Sequence, residues 1–94
     1  MKKNIKKLNN SLKVVVKNKN ERAVCLVYLS IVFLGYKIPK VAAHFKIPEL
    51  KVQSALVHCG VRLNSRKKAA FRDKMHTVVR MYRFEKEIEL MFAV

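Results

Sequence analysis

Three histidines, His44, His58 and His76, two cysteines, Cys25 and Cys59, and six acids are the groups in this sequence that could carry catalysis or hold a metal. Their arrangement supports neither. The histidines stand whole helices apart, and none has a carboxylate at a spacing that would orient it as a base. Asp73 and Glu49 are the only acids in the middle of the chain. The cysteines lack CxxC spacing and a neighbouring histidine pattern, so they are expected to be buried, reduced thiols on apolar helix faces. No catalytic residue, metal or cofactor is expected. The chemistry that the sequence does offer is hydrogen bonding and positive charge. Lys51, Gln53, Ser54 and His58 fall within eight residues, with Lys46 just before them. Lysine and glutamine bond base edges in the major groove, and serine bonds base or phosphate.

The elements that must position these side chains lie in residues 34–63. Gly35 can end a preceding helix, and residues 38–45, IPKVAAHF, make one short amphipathic helix with Pro39 in its first turn. Pro48 restricts Ile47 to extended conformations and breaks the pattern at 46–48. From there Val52, Ala55, Leu56, Cys59 and Leu63 resume at helical period, leaving Lys51, Gln53, Ser54 and His58 off the apolar stripe. Two helices around a tight turn read as a helix-turn-helix, whose second helix enters the major groove. Glu49 suits the positive end of that second helix.

Charge points to the same partner. Twenty-one Lys and Arg against six acids give a net charge of +15, and self-repulsion of that size is relieved by a polyanion. Arg62, Arg66, Lys67, Lys68 and Arg72 form one expected phosphate clamp, and Lys17, Lys19 and Arg22 a second, with Lys46 as a further backbone contact. No membrane partner is expected, because the most apolar segment, 23–36, is too short to span a bilayer.

Around the central pair the chain reads as all-α: a compact helical bundle, with no strict alternation and no hairpin dipeptide. Residues 1–20 carry Ile5, Leu8, Leu12 and Val15 or Val16 at helical steps, as a docked basic helix or as an arm that orders on phosphates. A central buried helix is expected over 21–34, capped by Asn20. The domain proper ends near residue 83, after a long helix whose apolar stripe is Phe71, Met75, Val78 and Tyr82. Residues 84–94 hold three of the six acids among Phe84, Ile88, Met91 and Phe92. This segment is read as a protein-contact element. It either packs on the domain's own core, pairs two protomers in a homodimer, or engages RNA polymerase or another regulator. Outward-facing Val57 and Val61 belong with it, meeting the last helix or a second protomer.

Residues 22–45, RAVCLVYLSIVFLGYKIPKVAAHF, resemble the C-terminal DNA-binding domain of the bacterial chromosomal replication initiator DnaA. Val27-Tyr28-Leu29 stands on that family's Met-Tyr-Leu core, and Gly35, Ile38, Pro39, Val41, Ala42 and Phe45 stand on its Gly-x-Ser-Leu-x-x-Ile-Gly-x-x-Phe piece. Val52 and Ala55 match its recognition helix after a one-residue deletion, and 64–82 resembles its closing helix. The resemblance implies a Trp-repressor-like helix-turn-helix that binds double-stranded DNA in the major groove, in a cytoplasmic, nucleoid-associated bacterial protein. Where the family has Arg-Asp-His-Thr-Thr-Val this sequence has 48–52, PELKV, and Ala23 stands at the family's basic loop arginine. Recognition of the family's origin box is therefore not implied. The chain also has no Gly-rich phosphate loop for energy-coupled initiation.

Together these readings favour sequence-specific DNA binding by a small transcriptional regulator. The alternatives are an architectural or nucleoid-type binder without base readout, a replication-linked DNA binder, and an RNA-binding protein.

Overall fold

The computed structural model of the chain describes residues 1–64 and 69–92. They form five helices, α1 (Lys2–Val15), α2 (Lys19–Val32), α3 (Ile38–Phe45), α4 (Glu49–Asn64) and α5 (Ala69–Phe92), and the protein is all-α. Ser65, Arg66, Lys67 and Lys68 lie outside the described residues, as do 93 and 94.

The first helix is docked on the domain. Ile5, Leu8, Leu12 and Val16 recur at steps of three and four and are all buried, Leu8 and Leu12 completely. They meet Cys25, Leu26 and Leu29 of α2 and Phe71, Met75, Val78 and Tyr82 of α5 in the larger of two apolar clusters. Polar side chains fix the seating. Asn4 donates from Nδ2 to the Tyr36 hydroxyl at 3.0 Å and accepts from the Lys86 ammonium at 2.7 Å. Lys7 pairs with Glu89 and holds that carboxyl below its ordinary pKa. The buried hydroxyl of Ser11 donates to the Lys7 carbonyl, so it is not left unsatisfied against the core.

The α2 helix starts two residues earlier than its apolar period suggests. Asn18, not Asn20, is the N-cap, its side-chain oxygen accepting from the Glu21 N–H at 3.0 Å. That shift places Glu21 third in the helix, and its carboxylate meets Arg62 of α4 instead of turning back to the cap. The helix is a wall shared by both cores. Cys25, Leu26 and Leu29 face the first cluster, and Val27 faces the second, with Val41, Ala42, Val52 and Ala55 of α3 and α4. It is less buried than expected. Val24, Ile31, Phe33 and Leu34 are half-buried and Val32 is exposed, because the partners of α2 cover two sides and leave a third to solvent.

Gly35 ends this segment at φ +80°, a conformation that L side chains rarely adopt. The N–H groups of Gly35 and Tyr36 turn back to the carbonyls of Ile31 and Ser30. The chain then enters α3 with Pro39 in its first turn.

Candidate nucleic-acid interface

The α3 helix is only eight residues long and buries Val41 and Ala42 against α2 and α4. It stops because Lys46 adopts the left-handed conformation, φ 56° and ψ 45°. The Ile47 N–H closes the end on the Ala42 carbonyl at 3.1 Å, as in a Schellman cap. Glycine is the usual residue there; a lysine costs about 1–2 kcal/mol. The three-residue turn ends at Pro48, whose carbonyl accepts the first bonds of α4 from Lys51 and Val52.

Along α4, Val52, Ala55 and Cys59 are buried and Leu56 is half-buried. The expected base-contact residues Lys51, Gln53, Ser54 and His58 are all exposed on the rest of the helix, and Lys46 is exposed in the turn. The Ser54 hydroxyl already donates to the Leu50 carbonyl at 2.9 Å, so toward a ligand it is left as an acceptor. At about 100° per residue, Lys51 and His58 flank one side of the outer face and Gln53 the other. Leu50, Val57 and Val61 run down its centre, 74%, 66% and 66% exposed. Val57 and Val61 do not meet the last helix, since they point away from the body of the domain. Sequence reasoning missed Leu50, although it stands two positions out of phase with Val52. It also missed Lys37 and Lys40, exposed at the start of α3 beside the turn at Gly35.

The two expected clamps separate once partners are seen. Arg62 is not available for phosphate. Its guanidinium pairs with Glu21 at 2.7 Å and covers the Phe71 ring at 4.3 Å, joining α2, α4 and α5. Arg22 is also engaged, donating from Nε to the Val16 carbonyl at 3.1 Å and from Nη2 to that of Lys17 at 3.3 Å. It caps the C-terminus of α1. Lys17, in the turn before α2, and Lys19, its first residue, are exposed. The start of α2 shares a recess of about 290 Å³ with the second half of α4, through Asn18, Asn20, Glu21, His58 and Arg62. Arg72 is exposed near the start of α5, while Arg66, Lys67 and Lys68 fall outside the described residues.

No family model matches the chain, and no curated protein or solved structure is significantly similar to it. The site is therefore read from its own geometry. Cys25 and Cys59 are buried together between α2 and α4. The hydrogen bond to Cys59, and then burial, hold the Cys25 thiol protonated. His44 is half-buried, edge-on to Phe45 at 4.8 Å, and His58 and His76 are exposed on different helices. Among the described residues no three His, Cys, Asp or Glu side chains converge as a metal site would require, and no helix is long and apolar enough to cross a membrane.

Charge is segregated along the chain. From Arg22 to Arg72 ten Lys and Arg stand with one acid, Glu49, and residues 1–20 hold seven lysines and no acid. By contrast, α5 balances Asp73, Glu85, Glu87 and Glu89 against five Lys and Arg. Glu49 sits in the first turn of α4, where the helix dipole stabilises it.

The C-terminal part of α5 does not fold back onto the core. Phe84, Ile88, Met91 and Phe92 are exposed. The inward stripe that begins at Phe71 continues through Tyr82 to Lys86 and Glu89, which bond to α1, and turns the apolar side chains outward. Of the three roles expected for residues 84–94, packing on the domain's own core is excluded for these side chains.

Proposed function

We propose that this protein binds double-stranded DNA, with α3, the turn and α4 working as a helix-turn-helix and the first half of α4 lying in the major groove. The observation that carries the reading is the combination of an exposed α4 face with a segment, 22–72, that holds ten Lys and Arg and one acid. Lys51 and Gln53 are the donors to base edges, and His58 lies further along the helix on the same side as Lys51. Lys37, Lys40 and Lys46 hold the sugar–phosphate backbone, as the first helix of such a pair crosses it. The resemblance of 22–45 to the replication initiator's DNA-binding domain supports the same docking mode.

Leu50 and Val57 favour base readout over binding by charge alone. A pure charge binder has no use for apolar side chains in the centre of its face, whereas a helix in the major groove sets them against thymine methyl groups. RNA is disfavoured because single-stranded recognition stacks bases on exposed aromatic rings. Here Phe71 and Tyr82 are buried and Phe33 and Phe45 half-buried. The exposed rings of Phe84 and Phe92 stand among Glu85, Glu87 and Glu89, which repel a phosphate backbone. The function we infer is that of a small sequence-specific regulator of transcription acting at the nucleoid.

The test is a duplex selected by the protein from random sequence. Lys51→Ala with Gln53→Ala should cost about 1–3 kcal/mol per lost base contact on that duplex and much less on random DNA. Both side chains are exposed, so helicity and melting should be unchanged. A double variant that keeps full affinity for the selected site would remove this face from the interface.

A further inference from the structure

We infer that the C-terminal half of α5 is a homodimer seam that pairs two copies of this chain in parallel. Met81, Phe84, Ile88 and Met91 follow one another at steps of three, four and three, the spacing of the two apolar positions in a heptad seam. Phe84 and Met91 lie on the side of α5 opposite its core stripe, with Ile88 and the half-buried Met81 at the flank of that side. Phe84 and Met91 are 62% and 72% exposed and Ile88 38%, with Phe92 beside them at 82%. A helix with a second apolar face has room for a second partner, and the domain's own core, built with α1 and α2, covers only the first. The seam has a clear beginning. One heptad earlier the same positions are Lys74 and Thr77, both exposed and polar.

Charge decides both the occupant and its direction. In a parallel pair in register, the residue just before the seam's first apolar position faces the residue five further on in the other helix. Here Arg80 faces Glu85 of the second copy, and the symmetry makes that attraction twice. An antiparallel pair that superposes the same four apolar residues sets Glu85 against Glu85 and Glu87 against Glu87. Like charges across a seam are repulsive, so a second copy fits only in the parallel sense. Fully covered, the exposed side chains of two copies amount to roughly 1,000 Å², the lower bound for a specific interface. An anionic membrane is a poor occupant, because Glu85 and Glu87 flank the same apolar face. The inference does not depend on what α4 binds.

The full-length chain, free of nucleic acid, is examined at tens of micromolar by sedimentation equilibrium. A mass of twice 10.9 kDa is expected. Phe84→Ser with Met91→Ser should give a monomer of unchanged helicity, since neither side chain packs on the core. Arg80→Glu should weaken association at low salt at least tenfold, and Arg80→Glu with Glu85→Arg should restore it. That rescue is specific to the parallel register and does not rely on the apolar variant folding. A wild-type monomer, a dimer that survives Phe84→Ser with Met91→Ser, or a charge swap that fails to rescue would each overturn the proposal. So would a chain that stays monomeric and binds anionic phospholipid vesicles through Phe84 and Met91.

Discussion

Leu12→Ala should lower the stability of this protein by about 2–5 kcal/mol, the range for truncating a fully buried leucine. Leu12 is completely inaccessible and sits where α1 meets α2 and α5. Collapse around the missing atoms is limited by Val16 and Leu8, which flank it on the same stripe. For a domain of this size each kcal/mol moves the melting temperature by roughly 4–8 °C, so a fall of about 10 °C or more is expected. Val14→Ala is the control, because Val14 is 58% exposed on the same helix and should shift stability by less than about 0.5 kcal/mol. Melting must be compared at one protein concentration, since association would make it concentration-dependent. If Leu12→Ala melts like wild type, α1 is an arm and the larger cluster is wrongly drawn.

The second large effect is on DNA affinity. A protein that neutralises six to ten phosphates loses roughly 10³–10⁵ in affinity between 50 and 200 mM salt. Lys37, Lys40 and Lys46 are exposed on α3 and its turn and are expected to supply three of those contacts. Lys37→Gln, Lys40→Gln and Lys46→Gly together should make the log–log salt slope shallower by about 2.7, from about 0.9 per phosphate. Affinity should fall by a similar factor on every sequence, because phosphate contacts carry no base information. Lys46→Gly separates function from folding. Glycine relieves the left-handed strain at φ 56° and should raise stability by about 1 kcal/mol while binding weakens. An unchanged slope would take this side of the protein off the backbone.

How far the sequence leads depends on whether a feature is local. Pro39, Pro48 and Gly35 are local, and they place the two short breaks around α3 where the structure has them. The steps from Ile5 to Leu12 and from Phe71 to Tyr82 are local too, and give the buried faces of α1 and α5. Helix starts are less legible, because apolar period does not mark a polar end. Asn18 and Asn20 are equally good caps by type; the structure takes Asn18, which accepts from the Glu21 N–H, while the Glu21 carboxylate is used in a contact to Arg62. That contact joins residues 41 apart in sequence. It also removes Arg62 from the clamp to which its basic neighbours in the sequence assign it. Leu50 was missed for a different reason. Helical period marks apolar residues on the core stripe, and one that stands off the stripe carries no signal until the outer face is seen to be exposed. The exposed end of α5 is legible as an apolar excess and as a stripe of Phe84, Ile88 and Met91 at helical spacing, but not in which way that stripe points. Its outward direction follows from Lys86 and Glu89 being taken by Asn4 and Lys7.

The central claim is that α4 meets duplex DNA through its outer face. A nitrogen-labelled amide NMR titration of the full-length chain with a selected duplex tests it most directly. Shifts concentrated in residues 46–58, with smaller ones at 37–40, are the expected result. The amides of 84–92 should stay put, since Glu85, Glu87 and Glu89 keep phosphate away from that end. Shifts centred on α5, with 46–58 unmoved, would contradict the account.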